Sequence, residues 1–337
     1  MKLPVAELHI HLEGTLEPET ILRLARQNDI TLPWPSVEQL REQYDFSNLQ
    51  SFLDLFYTNL AVLRTRADFH EITLAYLHRA EAAGVRHVEL FFDPQAHLER
   101  GIPLGEVVGG IRAGLREGEE RFGITHKLIS CFWRHAPVES AMEILRTLVA
   151  EDHDIDGIGL DSSELGYPPA LFQEVFAYAR EHGLHVVAHA GEEGPPEYIV
   201  QALDLLQVER IDHGIRCLED EVLVRRLVQE QMPLTVCPLS NVRLRAVDTM
   251  SVHPLKRMLE RGLKVSIHSD DPAYFGGYLD ANFEAVTREL GLSPSERATL
   301  AKNSIESSFL DEAAKSQLSA QVDTWLAAEV PGPAAGR

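Results

Sequence analysis

Eight short apolar runs rich in β-branched residues punctuate the chain: Val5–His11, Val85–Phe92, Lys127–Trp133, Ile155–Leu160, His185–His189, Arg210–His213, Leu234–Cys237 and Lys264–His268. Runs of this length and makeup predict strands. Most are followed by helical spacing, as in Ala170–His182, Glu197–Leu206, Asp220–Gln231 and Pro254–Arg261. Gly84, Gly183 and Gly262 close several of these segments, where a helix end calls for a left-handed residue. Alternating units of this kind predict an α/β fold, a (β/α)8 TIM barrel. An open doubly wound sheet would instead place a Gly-rich phosphate loop after its first strand, and His9-Ile10-His11-Leu12-Glu13-Gly14 is no such loop.

The first connection breaks the rhythm. About 70 residues separate His11 from Val85, where a plain βα unit needs about 20 to 30. Within it, Phe46, Leu49, Phe52, Leu53, Phe56, Tyr57 and Leu60 recur at helical spacing and are unusually aromatic. A water-excluding lid over the barrel mouth or a plain packing helix both account for that pattern. Ser293-Pro294-Ser295-Glu296 has the form of a capping box that starts a helical C-terminal segment. The expected organisation is one domain over 1–330, with a helical insertion at about 31–66 and a tail at 331–337.

Composition narrows the partners. With 52 acidic against 31 basic side chains the formal net charge is −21, which disfavours nucleic acid and anionic membranes and leaves a small uncharged substrate as the natural partner. Self-association stays open. Cys131, Cys217 and Cys237 have no paired spacing and suit a reducing interior. The N-terminus enters its first strand pattern directly after Lys2 and Pro4, and no apolar run reaches the 18 or so residues of a membrane span, so a cytoplasmic chain is expected.

Candidate chemistry sits at the strand ends. Residues two apart on a strand share a face, so His9 and His11 project together into the barrel. His189 and Asp270, at the ends of the fifth and eighth runs, complete a set of imidazole and carboxylate ligands suited to Zn²⁺, with Fe²⁺ or Mn²⁺ as alternatives. Binuclear barrels of this style bridge their metals with a carbamylated Lys on a middle strand; no Lys occurs between Lys127 and Lys256, so one metal per chain is expected. Glu192 lies where a carboxyl could protonate a ring nitrogen, and His213 where an imidazole could deprotonate a metal-bound water. Asp271 adjoins Asp270, a repulsion relieved if one holds metal and the other a substrate N–H. His268 reads equally as packing or as support for the site. His70, His78, His87, His97, His126, His135, His153, His182, His185 and His253 read as surface or structural.

These phrases together resemble the adenosine and adenine deaminase family of metal-dependent barrels, from about Leu3 to Ser307. The resemblance is carried by His9-Ile10-His11-Leu12-Glu13-Gly14, His189-Ala190-Gly191-Glu192, Ile211-Asp212-His213-Gly214, Cys237-Pro238-Leu239-Ser240-Asn241 and Ser269-Asp270-Asp271-Pro272, in family order. It implies that His9, His11, His189 and Asp270 hold one zinc ion, Glu192 protonates purine N1, His213 assists the attacking hydroxide and Asp271 hydrogen-bonds N7. It also implies attack at C6 and loss of ammonia.

Two departures from the adenosine-specific phrases bear on the substrate. Glu13 stands where those enzymes usually carry Asp, and Asp161-Ser162-Ser163-Glu164 replaces Ala-Gly-Asp-Glu, so side chains at Ser162 and Ser163 fill room that a sugar needs. Free adenine, converted to hypoxanthine in purine salvage, is the expected substrate, with Glu13 and Ser162 beside it. Adenosine and N6-substituted adenines are the alternatives. A nucleotide would want a basic cluster at the mouth, for which Arg134, Arg216, Arg243 and Arg245 are the only candidates. A catalytically silent metal-binding relative should have lost part of the proton machinery, yet Glu192, His213 and Asp271 are all present.

Overall fold

All eight apolar runs form strands, and the strands pair in parallel in sequence order: β1 Val5–His11, β2 Val85–Phe92, β3 Thr125–Trp133, β4 Gly157–Asp161, β5 His185–Ala190, β6 Arg210–His213, β7 Pro233–Val236 and β8 Lys264–Ile267. The computed structural model describes residues 2–330, so the expected tail at 331–337 lies outside the described residues. Both faces of such a sheet are covered, which is why the strands read as nearly continuous apolar runs and not as alternation. The sheet closes just past β8. Asp270 pairs with Ile10, its N–H donating to the His9 carbonyl at 3.1 Å and its carbonyl accepting from the His11 N–H at 3.1 Å. The backbone of one expected metal ligand therefore seals the barrel beside two others.

Strand ends shift by a residue or two from the sequence expectation, and two helices differ in kind. Ala170–His182 begins as a 3-10 turn at Pro169–Phe172 before the α-helix Gln173–Glu181. Glu197–Leu206 is α-helical only over Pro196–Gln201 and widens to a π turn at Ala202–Leu206, ended by left-handed Gln207 (φ 55°). The insertion holds a helix at Leu49–Asn59, whose buried Phe52, Leu53 and Phe56 belong to the main core. The capping box at Ser293 forms as expected, with Ser293 N donating to Glu296 Oε2 at 2.7 Å and Glu296 N to Ser293 Oγ at 3.2 Å. Among the described residues, no helix is long and apolar enough to cross a membrane.

Inside the barrel, Phe91, Ile129, Cys131 and Val187 form a separate buried layer against which Phe309 packs. Phe309 also stacks on His185 at 3.8 Å and lies under the Arg210 guanidinium at 5.0 Å, stopping the N-terminal end of the barrel. Arg210, fully buried, donates to Glu89 Oε2 at 2.6 Å and to the Leu8 carbonyl at 3.0 Å, and faces Asp212 Oδ1 at 3.5 Å. Burial works to raise the Glu89 pKa, but Arg210 and a hydrogen bond from His87 outweigh it and bring the carboxyl to about 2. Arg210→Met should cost about 3–5 kcal/mol in urea unfolding, because it strands two buried carboxylates. A loss below about 1 kcal/mol would show that this ion chain does not hold the barrel together.

Candidate active site

The alternation of β1 turns His9 and His11 the same way, and β5 brings His189 alongside. His9 Nε2 lies 3.3 Å and His11 Nε2 3.4 Å from the same Asp270 oxygen, and His11 Nε2 lies 3.2 Å from His189 Nε2. One ligand atom from each of these four buried residues falls within 4.8 Å of the others. No hydrogen-bond partner reaches His9 Nε2. A buried nitrogen left unpaired among three other ligand atoms is an expensive arrangement unless a cation shares it. The residues present therefore fit a divalent metal, and the three-nitrogen, one-oxygen donor set suits zinc chemistry.

The outer nitrogens of the three rings face away toward fixed acceptors. His9 Nδ1 meets Thr235 Oγ1 at 3.0 Å, and that hydroxyl donates to Asp212 Oδ1 at 2.7 Å. His189 Nδ1 faces the other Asp212 oxygen at 3.7 Å, and His11 Nδ1 faces Asp161 Oδ2 at 3.6 Å. The Thr235 hydroxyl, which donates to Asp212, fixes the His9 tautomer, and the facing carboxylates orient the other two rings. Sequence reasoning missed Asp212 and Thr235 in this role.

Three non-glycine residues at the site adopt left-handed backbone conformations: Ser162 (φ 72°), His213 (φ 65°) and Asp270 (φ 64°). Each costs on the order of 1–3 kcal/mol, and the surrounding pairing holds them there. For Ser162, the left-handed turn aims the side chain at the cavity wall, where its Oγ meets Tyr57 OH and His135 Nδ1, each at 2.9 Å.

Glu192 follows β5 in a loop caged by a second carboxylate. Glu164 accepts from the N–H groups of Gly191 (2.6 Å), Glu192 (3.1 Å), Glu193 (2.8 Å) and Gly194 (2.7 Å). Arg134 donates to the His189 carbonyl at 2.8 Å and so braces the same loop. Within this cage Glu192 keeps one oxygen unpaired and sets the other 3.5 Å from His213 Nε2. Burial, then the nearby Asp270, Glu164 and Glu193 charges, pushes its pKa well above the usual carboxylate range. Burial and neighbouring His9 bring His213 down to about 3. Asn241, from the Cys237–Asn241 phrase, bonds His213 Nδ1 at 3.2 Å and His253 Nε2 at 3.3 Å, a further contact the sequence did not assign.

A narrow cavity of about 40 Å³ opens over these groups, lined by His11, His189, Glu192, His213, Asp270 and Asp271 on one side and by Leu49, Phe52, Leu53, Phe56 and Tyr57 on the other. Asp93, Asp161, Ser162 and Leu244 complete the wall. Only about three water molecules fit that space. Gly14 passes so close to Asp271 that any added Cβ would collide with its carboxyl. Glu13, expected beside the substrate, is fully buried behind the wall instead. Its Oε1 takes a hydrogen bond from His97 Nε2 at 2.7 Å and from the Asp93 N–H at 3.2 Å. His97, read as surface or structural, is thus a buried partner of this acidic cluster. His268 packs, accepting from the Leu8 N–H at 3.0 Å and bonding Ser266 Oγ at 2.8 Å.

Each of the four candidate phosphate-binding arginines makes contacts within the protein, although Arg134 Nη2 has no partner. Arg134 is held by backbone carbonyls, Arg216 by Glu219, and Arg243 and Arg245 by the Tyr44 and Phe46 carbonyls of the insertion.

Comparison with known proteins agrees with this geometry. Residues 4–325 match the family described as adenosine deaminase. A curated adenine deaminase from Hahella chejuensis is 51% identical over 324 residues, covering 96% of this chain and 97% of the relative. The crystal structure of an adenine deaminase from Arthrobacter aurescens superposes with a TM-score of 0.95 at 56% identity, covering 96% of this chain and 99% of that one. An amidohydrolase from Burkholderia ambifaria, solved with bound zinc, superposes with a TM-score of 0.89 at 28% identity, covering 97% and 93%.

Proposed function

Because the chain belongs to the adenosine deaminase family, we propose that it hydrolyses free adenine to hypoxanthine and ammonia, a purine-salvage reaction, at a single zinc ion held by His9, His11, His189 and Asp270. The observation that carries this reading is the convergence of those four ligand atoms opposite a buried, proton-retaining Glu192. When bound, the ion supplies Lewis acidity that lowers the pKa of a water toward about 7.

The chain's own groups then handle the protons. His213, whose Nε2 faces Glu192 and Asp270, takes the proton released as the water oxygen bonds C6. Glu192 gives its proton to N1, which breaks ring aromaticity as the C–O bond forms. The C–N bond breaks as His213 returns a proton to the amino group, and Glu192 recovers one from the new hydroxyl. Asp271, whose pKa burial and the Asp270 charge push up, hydrogen-bonds the base at N7.

The substrate assignment rests on room. The cavity is narrow and walled on one side by Leu49, Phe52, Leu53, Phe56 and Tyr57, so the insertion around residues 31–66 works as a lid within one domain, opening at the Tyr57–Ser162 and Gln50–Ser163 hydrogen bonds. A ribose would need still more space, at the wall that Ser162 occupies. The contacts of Arg243 and Arg245 with the insertion argue against a nucleotide. A cytoplasmic setting is supported by Cys131, Cys217 and Cys237, all buried and free. Ammonia release from adenine, adenosine and N6-methyladenine tests the reading. Adenine should have the highest kcat/KM, and a tenfold preference for the nucleoside would overturn it.

A further inference from the structure

Asp93 follows β2 directly and Asp161 ends β4, so both stand at the rim of the barrel that carries the metal ligands. In the eight-strand order β2 lies across from β6, the strand that presents His213. Both carboxyls line the cavity, and each is only 3% exposed. Trp133 Nε1 donates to Asp93 Oδ2 at 2.8 Å, which fixes the carboxyl, while Asp93 Oδ1 and Asp161 Oδ1 have no hydrogen-bond partner. With His11, their ligand atoms fall within 4.8 Å of one another, an imidazole's width from the metal cluster. Buried acceptors of this kind await a donor.

We propose that Asp93, backed by Asp161, accepts the imidazole-ring N–H of the bound base and thereby selects a free purine over its nucleoside. The inference rests on the adenine reading above. With C6 at the metal and N1 at Glu192, the 9H form of the base carries its ring proton on N9, about one ring's width from C6. A nucleoside carries carbon at that nitrogen and offers no donor. It would leave a buried acceptor unpaired and press a sugar against the Trp133–Asp93 pair. Sites built around a substrate N–H reject analogues that lack it far more strongly than apolar pockets reject extra bulk.

Inhibition constants for purine and 9-methylpurine, measured on the zinc-loaded full chain, test this without relying on turnover. Wild type should bind purine about a hundredfold more tightly. Asp93→Ala should bring the ratio to within about threefold, with metal content unchanged, and Asp93→Asn, which keeps a carbonyl acceptor, should fall between. A wild-type ratio near one, an equal weakening of both ligands, or loss of a second metal equivalent in Asp93→Ala would overturn the assignment. Absence of adenine turnover in wild type would defeat the adenine reading alone, since the inhibition ratio reports on the N–H contact by itself.

Discussion

Glu192→Gln should lower kcat for adenine by on the order of 10²–10⁴ while bound metal stays at the wild-type level. The amide is nearly isosteric and can still donate a hydrogen bond to N1, but it has no proton to transfer, so the loss isolates the transfer step. The loop is not expected to move. Its backbone N–H groups donate to the Glu164 carboxylate, which the substitution does not touch. Burial and the Asp270, Glu164 and Glu193 charges raise the folded pKa of Glu192, so the protonated form persists to a higher pH than an exposed carboxyl allows. Activity should therefore fall as pH rises through that pKa, and this alkaline limb should vanish in Glu192→Gln. Steady-state ammonia release across pH, with metal analysis of the same samples, checks both statements. Near-normal turnover with the limb retained would remove Glu192 from the proton path.

The parts of the site readable in the sequence were those in which chemistry and local geometry coincide. His9 and His11 announce themselves because a two-residue period on a strand leaves one orientation for both. The eight strands were legible for a related reason, since a sheet buried on both faces writes itself as apolar runs between turn signals. The outer partners of the histidines carry no such mark. Asp212 and Thr235 are ordinary residues of β6 and β7, and they meet His9 and His189 only because the barrel closes. Glu164 likewise reads as one acid among 52, although its two oxygens collect the N–H groups of four successive residues. Glu13, expected at the substrate, lies buried behind the wall, while His97, read as surface or structural, is its buried partner, because a motif fixes sequence neighbours and not depth. Depth depends on how far the strand end rises above the barrel floor. The turn after β1 buries Glu13 behind Asp93, and it is Asp93, silent in sequence, that reaches the cavity.

Stripping the metal should reduce turnover by at least about 10⁴-fold, since without Lewis acidity a water near pKa 15.7 must react where one near 7 did. Dialysis against a strong chelator followed by zinc titration gives the measurement, with recovery complete at one equivalent per chain. One ion is expected because the four ligand atoms close around a single point and the outer nitrogens of the histidines turn toward Thr235, Asp212 and Asp161. The stripped protein should also unfold at a lower temperature. The unpaired Nε2 of His9 and the clustered rings stay buried without a cation, and any ligand that binds only the folded state stabilises it by mass action. Both readouts should fail together in His9→Ala or His11→Ala, whereas Glu192→Gln should keep the thermal gain from zinc and lose only turnover. Activity that survives exhaustive chelation would dissolve the metal assignment. Recovery that requires two equivalents would place a second ion among Asp93, Asp161 and His11, the other buried cluster on this wall.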